Sequence, residues 1–280
     1  MNVLVIGASG QLGSELCRML DKKGIEYLGT NSKDLDITDW NAVNQYFKEY
    51  RPQLVYNCAA YTNVDGAEDT PGKIANYKVN VIGTENVAAA SEKFGATLIY
   101  ISTDYVFDGN NSEMYTEKSP TNPQNEYGRA KLAGEQAVSK IMSKYYIIRT
   151  SWVFGEYGKN FVYTMLNLAK THDHLTVVND QKGRPTWTKT LSEFMIYAME
   201  NEIPYGLYQL SNEESCTWYE FAKEILKEQN VKIDPVTSDE FPQRAYRPKH
   251  SVMDLAKAES VGFEIISWKE ALSNFINDVN

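Results

Sequence analysis

The amino-acid sequence predicts an α/β protein with a Rossmann-like, doubly wound parallel sheet and a smaller, mostly C-terminal substrate-binding lobe. Two observations support this fold class. Short apolar runs alternate with amphipathic helical patterns up to about residue 150, which is typical of right-handed βαβ units around a parallel sheet. A glycine-rich turn also joins the first apolar run to the first helical pattern, as in dinucleotide-binding folds.

The first half of the chain contains a regular series of elements. Its strand-like runs are apolar at most positions, which fits a sheet that is covered on both faces. The predicted strands are residues 2–7, 26–30, 53–59, 96–103 and 145–151. The predicted helices are residues 13–24, 39–50 and 75–94, followed by the helix that contains "NEYGRAKLAGE" (residues 125–135).

The second half of the chain loses this strict alternation. Helical patterns cover residues 158–172, 189–201 and 217–230, and a proline-punctuated extended segment covers residues 240–252. We therefore expect two structural units. Their predicted bounds are a dinucleotide-binding domain of residues 1–153, to which residues 187–203 and parts of 250–280 return, and a substrate-binding lobe of residues 154–186 and 204–249.

Composition and charge exclude several classes of function. The formal net charge of −9 disfavours a nucleic-acid partner, because phosphate backbones require clustered cations. No apolar run reaches the roughly 18 residues of a membrane helix, and glycines interrupt the N-terminal apolar run before a signal-peptide core forms. Neither the three cysteines nor the three histidines have metal-binding spacing. We expect a cytoplasmic protein with a small-molecule substrate and no metal site.

The first turn of the chain has the spacing of a phosphate-binding loop. In "VLVIGASGQLGSEL", Gly7 permits a tight turn, Gly10 allows backbone to approach a pyrophosphate, and Gly13 allows the helix to pack closely on the sheet. The start of the following helix then offers free N–H groups to the phosphates. This loop predicts a bound dinucleotide cofactor.

The end of the second predicted strand favours NADPH. NAD-dependent enzymes usually place an acidic residue there, where it binds the ribose 2′-hydroxyl. In this chain Thr30, Asn31 and Ser32 are neutral and Lys33 is cationic, so a 2′-phosphate is tolerated. Acidic residues follow closely at positions 34 and 36, and acceptance of NADH therefore stays open.

Tyr127 and Lys131 are four residues apart in a predicted helix, so they share one face. Carbonyl reduction needs a hydride and a proton, and a tyrosine can donate the proton. Its reference pKa of about 10 makes the phenolate costly near neutrality, but a neighbouring ammonium group stabilises it. Ser102 and Thr103 end a predicted strand, at the edge where such sheets bind ligands. These residues predict a carbonyl reductase.

Seven segments, in order along the chain, carry a family resemblance. They are "GASGQLG", "NCAAYTNVDGAE", "STDYVFDG", "YGRAKLAGE", "RTSWVFG", "NDQKGRPT" and "RPKHS". Through them, nearly the whole chain resembles the extended short-chain dehydrogenase/reductases. More narrowly, it is similar to the dTDP-4-dehydrorhamnose reductase family, which makes dTDP-L-rhamnose. This resemblance implies a nicotinamide cofactor and a nucleotide-sugar substrate.

The resemblance also implies roles for individual residues. For the cofactor, it implies contacts from Gly10, Gln11 and Leu12 to the pyrophosphate, from Asp36 and Ile37 to the adenine, and from Ala59, Ala60 and Tyr61 beyond the strand 53–59. For the reaction, it implies that Tyr127 donates the proton, that Lys131 supports it, and that Thr103, Asp104 and Trp152 contact the deoxysugar. The family often has histidine at the position of Tyr61, so the contact made there stays open.

Arginines near the sugar end of the site suit a diphosphate because of their fork of donors. Arg184 lies in "DQKGRPT", and Arg244 and Arg247 lie in "PQRAYRP". We take Arg184 and Arg247 as candidate substrate-binding residues, with solvated loop charge as the alternative. For Trp152, the alternative to a sugar contact is a core aromatic.

Two rival functions stay open. A nucleotide-sugar 4,6-dehydratase or 4-epimerase is the nearest enzymatic rival, but a dehydratase usually has an Asp-Glu pair after the strand-end threonine. Here Tyr105 follows Asp104, which favours simple reduction and places Tyr105 at the sugar. The other rival is a regulatory binding subunit similar to that of methionine adenosyltransferase. Some family members dimerise around Mg²⁺, but no motif here assigns such a metal or a homodimer.

Overall fold

The computed structural model describes residues 1–279. Its strands are β1 (Val3–Ile6), β2 (Tyr27–Thr30), β3 (Leu54–Asn57), β4 (Thr97–Thr103), β5 (Tyr145–Thr150), β6 (Val153–Phe154), β7 (His174–Val178), β8 (Lys182–Gly183), β9 (Thr186–Trp187), β10 (Gly206–Gln209), β11 (Cys216–Thr217) and β12 (Lys232–Val236). Its α-helices are α1 (Gln11–Lys23), α2 (Trp40–Tyr50), α3 (Thr70–Tyr77), α4 (Thr84–Phe94), α5 (Glu126–Ile141), α6 (Phe161–Ala169), α7 (Thr188–Glu200), α8 (Trp218–Ile225), α9 (Ala256–Ser260) and α10 (Trp268–Val279).

Six parallel strands form the main sheet in the order β10-β5-β4-β3-β1-β2. Side chains of β1 alternate between two cores, because successive residues of a strand point to opposite faces. Val3 and Val5 pack with α1 and α7 on one face, whereas Leu4 and Ile6 pack with α2, α4 and α5 on the other. The predicted doubly wound α/β fold is confirmed. None of the helices in the described chain is long and apolar enough to cross a membrane.

A separate apolar cluster lies outside the main sheet. It joins α6, α8 and α10 with the parallel pair β7 and β12 through aromatic side chains such as Phe154, Phe221 and Phe275. Phe154 lies 5.6 Å, centroid to centroid, from each of the other two rings. Of these elements, α6, α8, β7 and β12 lie in the ranges expected for the smaller lobe, whereas α10 lies in the range 250–280, parts of which were expected to return to the first domain. The exact division of the chain into two units stays a proposal.

One segment of the expected smaller lobe pairs with the main sheet. The sequence placed residues 204–249 together in the smaller lobe, but Gly206–Gln209 forms β10 and pairs parallel with β5 at the edge of the main sheet. The run is short, and Tyr208 and Leu210 are buried in the core beneath α7. Hydrogen bonding along β5 therefore draws this segment into the first domain.

A second difference concerns the helix predicted over residues 75–94. The chain forms α3, then a π-helix over Lys78–Gly83, and then α4. π-Turns are rare and often occur at functional sites. The sequence pattern alone indicates continuous helix here, since both kinds of turn place apolar residues at similar intervals.

Candidate active site

The phosphate loop has the geometry that its glycines suggest. Gly7 has a φ of +80°, and its N–H group and that of Ala8 donate to the Thr30 carbonyl at 2.8 and 2.9 Å. A Cβ atom on Gly13 would lie 2.1 Å from the Gly7 oxygen, so a side chain there would force α1 off the sheet. Because α1 begins at Gln11 without a side-chain cap, its first N–H groups are available to an anion.

The end of β2 forms a compact turn that uses its acidic residues internally. The Asn31 N–H donates to Asp34 at 3.0 Å, and the Lys33 N–H donates to the Asn31 side chain at 2.8 Å. Asp36 accepts two bonds from Thr38, at 2.9 and 2.8 Å. Both carboxylates therefore have local partners, which is consistent with a 2′-phosphate near this turn.

The next loop, Ala59–Tyr61, is fixed by a residue that the sequence did not single out. Asn80 accepts from the Tyr61 N–H at 3.1 Å and donates to the Tyr61 carbonyl at 2.9 Å. It also donates to Asn76 at 2.7 Å, and Asn76 in turn donates to the Glu126 carbonyl at 2.9 Å. The π-helix thus connects the candidate cofactor loop to the first turn of α5.

The sequence contains a signal that could have identified Asn76 and Asn80 as structurally important. Asparagine is unfavourable inside helices because its side chain competes for backbone groups, and two of them four residues apart in an otherwise helical stretch indicate such competition. Both are 1% exposed, so their side chains must be hydrogen-bonded.

Helix α5 is fixed at its start, which positions Tyr127. The Asn125 side chain caps the helix by accepting from the Gly128 N–H at 2.7 Å, and it donates to the Tyr246 carbonyl at 2.9 Å. Glu68 accepts from the Glu126 N–H at 2.8 Å. The first turn of α5 is therefore bonded to three other segments of the chain, through Glu68, Asn76 and Tyr246.

Tyr127 lies against the last residue of β4 and the two residues that follow it, Thr103, Asp104 and Tyr105. Its ring meets that of Tyr105 edge to face, with centroids 6.0 Å apart. Burial raises the pKa of Tyr127, the charges of Asp104 and Tyr105 act in the same direction, and a hydrogen bond with Thr103 opposes them. The Thr103 hydroxyl also donates to Asp104 at 3.1 Å. Burial raises the pKa of Asp104 to about 6.

This geometry separates the two candidate hydroxyls. Neighbouring residues of a strand point to opposite faces, and Thr103 faces Tyr127. Ser102 therefore points away, and its buried hydroxyl has no hydrogen-bond partner within residues 1–279. Thr103 is the hydroxyl that can hold a substrate oxygen beside the phenol.

Lys131 lies one turn after Tyr127 and is 2% exposed. Its Nζ atom is 4.1 Å from the centroid of the Tyr100 ring. Burial lowers the pKa of Lys131 to about 7, and the charge of Glu135 acts in the opposite direction. The lysine can therefore change its charge near neutral pH, and this matters for any phenolate that forms at Tyr127.

Trp152 is held between two other residues. Its φ of +48° is unusual for a bulky residue, and its indole stacks on Trp218 with centroids 3.7 Å apart and planes 11° apart. A Cβ atom on Gly183 would lie 2.7–2.9 Å from three neighbouring atoms of the Trp152 indole. Trp218 covers one face of the indole and the backbone of Gly183 closely approaches the same ring, so packing fixes the position of Trp152.

The candidate arginines lie in different surroundings. Arg247 donates to Asp65 at 2.9 Å, and its guanidinium carbon is 5.7 Å from the Tyr105 ring centroid. Arg244 pairs with Asp69. Arg184 instead points towards the Met114 sulfur, 3.5 Å away, and its charge lies near three acidic residues, Glu213, Asp254 and Glu259. The structure brings Arg247 to the Tyr105–Tyr127 pair, whereas Arg184 stays a prediction.

The described residues contain no cluster of three or more His, Cys, Asp or Glu side chains arranged to hold a metal ion. They do contain a glycine loop before α1, a loop after β3, and the Thr103, Tyr127 and Lys131 side chains at the carboxyl end of a parallel sheet. This fold and this site together define an extended short-chain dehydrogenase/reductase.

Comparison with known proteins narrows this class. The family described as "RmlD substrate binding domain" matches residues 1–280, so the chain belongs to that family. A dTDP-4-dehydrorhamnose reductase from Aggregatibacter actinomycetemcomitans is 38% identical over 287 aligned residues, covering 97% of this chain and 97% of the relative.

Solved structures agree with this assignment. A dTDP-4-dehydrorhamnose reductase from Clostridium acetobutylicum superposes with a TM-score of 0.96 at 44% identity, over 100% of this chain and 99% of that chain. One from Bacillus anthracis, solved in complex with NADP, superposes with a TM-score of 0.95 at 42% identity, over 99% of each chain.

Proposed function

We propose that this chain reduces the C4 ketone of dTDP-4-dehydro-L-rhamnose to dTDP-L-rhamnose with NADPH, the last step of dTDP-L-rhamnose biosynthesis. The observation that carries the proposal is the Thr103–Tyr127–Lys131 set, in which Thr103 and Lys131 are buried and Thr103 lies beside the Tyr127 phenol. It occurs in a chain that aligns over its whole length with reductases of that name.

The proposed mechanism assigns one task to each side chain. A bound nicotinamide supplies the hydride that reaches C4. Thr103 turns its single hydroxyl proton from Asp104 to the C4 oxygen, and Tyr127 transfers its proton to the same oxygen. The Lys131 ammonium lowers the free energy of the resulting phenolate, and a proton from solvent then restores the phenol. The sum is ketone, NADPH and a proton in, and alcohol and NADP⁺ out.

Burial explains why the lysine is needed. A low-dielectric site disfavours a charged tyrosine, and burial raises the pKa of Tyr127. Without a nearby cation, proton transfer to the substrate would leave an isolated buried anion. An ammonium one turn away compensates that charge in the state where it develops.

Reduction is favoured over dehydration by the residue after Asp104. Elimination needs a second positioned carboxylate as a base, and that position holds Tyr105, which packs edge to face on Tyr127. A non-catalytic regulatory subunit has no need of the complete Thr103–Tyr127–Lys131 set. We therefore favour the reductase over both rivals.

NADPH is the cofactor we favour, with NADH as an accepted alternative. The support is the neutral residue directly after β2, Asn31, together with the local hydrogen bonds of Asp34 and Asp36. In this proposal the domain that contains the main sheet binds NADPH, and the smaller lobe binds the sugar nucleotide. A cytoplasmic location and a homodimer stay predictions.

A turnover assay tests this function. The purified protein is given dTDP-4-dehydro-L-rhamnose with NADPH or NADH, and products are identified by NMR. We expect one NADPH consumed per sugar, dTDP-L-rhamnose as product, and a higher kcat/KM with NADPH. Conversion of dTDP-glucose to a 4-keto-6-deoxy sugar, or a C4 epimer formed without net NADPH loss, would overturn the proposal.

A further inference from the structure

We propose that Glu135 is a positioning residue for Lys131: its carboxylate, locked in place by Arg149, keeps the Lys131 ammonium charged during the reaction. The proposal rests on the function proposed above and deepens it. It concerns a buried ion pair that the reaction scheme does not otherwise use.

Helix α5 and strand β5 bring the three side chains together. Lys131 and Glu135 are four residues apart and therefore share one face of α5, and both are buried, at 2% and 5% exposure. Arg149, on β5, is 3% exposed. Its Nε and Nη2 atoms donate to the two Glu135 oxygens at 2.9 and 2.7 Å.

This bidentate pairing fixes the position of the carboxylate. Both oxygens of Glu135 accept a charge-assisted bond in the planar geometry that arginine favours. The Arg149 guanidinium is itself held over the Phe107 ring, 5.0 Å from its centroid. Glu135 therefore presents its negative charge to Lys131 from one fixed place, without turning to bind it directly.

Stability alone is a weak reason for such a pair. Removing two ions from water costs free energy that their mutual attraction often does not offset. Apolar residues of similar volume commonly give the same or higher stability. Arg149 also leaves its Nη1 atom without a hydrogen-bond partner within the described residues. An electrostatic effect on Lys131 explains why the Glu135–Arg149 ion pair is buried in the interior.

The electrostatic surroundings of Lys131 give the sign of the effect. The titratable or charged groups on the elements packed around it include Tyr127 and Glu135 on α5, Tyr100 on β4, Arg149 on β5, and Asp104 and Tyr105 after β4. The other elements packed against α5 carry Lys73 and Tyr77 on α3, Lys78 on the π-helix, and Glu85, Glu92 and Lys93 on α4. Burial lowers the pKa of Lys131 to about 7, and Glu135 raises it. Loss of the Glu135 charge therefore lowers it further and leaves the lysine neutral at the pH where the enzyme works.

The test uses E135Q and the double variant Glu135→Gln/Arg149→Met. We expect the alkaline limb of kcat/KM against pH to move down by about one pH unit in E135Q, where the unbalanced Arg149 cation also repels Lys131. In the double variant it should move down less, because that cation is gone. NADPH affinity at pH 6 should change little in either.

A second readout does not depend on turnover. In protein labelled with [¹³Cε]lysine, the Lys131 resonance, assigned by its loss in Lys131→Met, should titrate lower in E135Q than in the wild type, with the double variant between them. If E135Q does not fold, the Lys131 titration in the double variant still tests the proposal, since neutral pairs of similar volume are commonly tolerated in place of a buried ion pair.

Each outcome of these measurements is decisive. An unchanged titration of Lys131 in the double variant, or a rate loss in E135Q that is equal at every pH, would assign Glu135 a structural role and overturn the proposal. A wild-type protein that fails to reduce the keto-sugar, while its Lys131 titration still depends on Glu135, would refute the proposed function instead.

Discussion

The two halves of the candidate site are built differently. The proton-donor half, Thr103, Tyr127 and Lys131, lies on a regular strand end and a capped helix, and its residues are close together in sequence. The sugar half depends on contacts between distant residues, as where Trp152 stacks on Trp218 and Arg247 reaches Asp65. Under the proposed function, the first half positions the reaction with local structure, whereas the second half depends on long-range packing.

This contrast implies different sensitivities to mutation. A change in the proton-donor half should act on kcat with the sugar still bound, because those groups act mainly in the transition state. A change in the sugar half should act on kcat/KM and leave NADPH binding intact. The predictions below test that separation.

The largest effect is expected from Tyr127→Phe. It removes the proton donor but keeps the ring against Tyr105, and loss of one positioned acid typically costs about 10²–10⁴ in rate. Steady-state kinetics and NADPH titration measure both effects. Tyr105→Phe is the matched control, with a much smaller loss expected. A Tyr127→Phe enzyme with more than about half of the wild-type kcat, with chemistry rate-limiting, would remove Tyr127 from its assigned role.

The buried carboxyl of Asp104 should lower stability at high pH. Its pKa is raised from 3.8 to about 6 in the folded protein, so the stability it contributes is full below about pH 4 and falls as pH rises through about 6. Asp104→Asn cannot ionise, and its free energy of unfolding at pH 8 should exceed that of the wild type by up to about 3 kcal/mol. Urea unfolding at pH 4 and pH 8 tests this. A gain of equal size at both pH values would rule out this cause.

Gly183→Ala should disturb the sugar half alone. Its new Cβ atom would lie 2.7 Å from the Trp152 indole, so the ring must move, and misplacement by about 1 Å can cost ~10²-fold in rate. We expect kcat/KM for the sugar nucleotide to fall by up to that factor with NADPH affinity unchanged. Trp152→Ala, which removes the ring, gives the comparison. Wild-type kinetics in both variants would show that this aromatic stack does not position the sugar.

The two candidate arginines can be ranked against each other. Arg247 lies over Tyr105, so Arg247→Gln should weaken binding of dTDP about tenfold, the typical loss for one charge-assisted hydrogen bond. Arg184→Gln should have a smaller effect, since Arg184 lies among acidic residues near Met114. Calorimetric titration with dTDP measures both. The reverse ranking would identify Arg184 as the phosphate-binding residue.

The smallest effect is expected from Asn31→Asp. A carboxylate at this exposed turn should repel a 2′-phosphate, and interactions between exposed charges are worth up to about 1 kcal/mol. The ratio of kcat/KM for NADPH to that for NADH should therefore fall by up to about fivefold. Asn31→Ser serves as the neutral control. An unchanged ratio in Asn31→Asp, or a wild-type enzyme that strongly prefers NADH, contradicts the interpretation of this turn.

Local patterns made the proton-donor half predictable from sequence. A four-residue spacing places Tyr127 and Lys131 on one helix face in any helix, and a glycine loop after the first strand has one common use. The sugar half could not be predicted in this way. Neither the stacking of Trp218 on Trp152 nor the close approach of Gly183 has a local signature, and nothing in the spacing distinguishes Arg247 from Arg184. The position of β10 beside β5 could not be predicted either, because it depends on pairing between segments that are distant in sequence.

The π-helix of Lys78–Gly83 has a consequence for how this gene can change. A π-turn is equivalent to one extra residue in an α-helix, so deleting a single codon there would give a more regular helix. Each residue on one side of the deletion would rotate by about 100° relative to the other. Asn80 could then no longer face both Asn76 and Tyr61. The extra residue is therefore an insertion whose removal would make the helix more regular and free the Ala59–Tyr61 loop from Asn80.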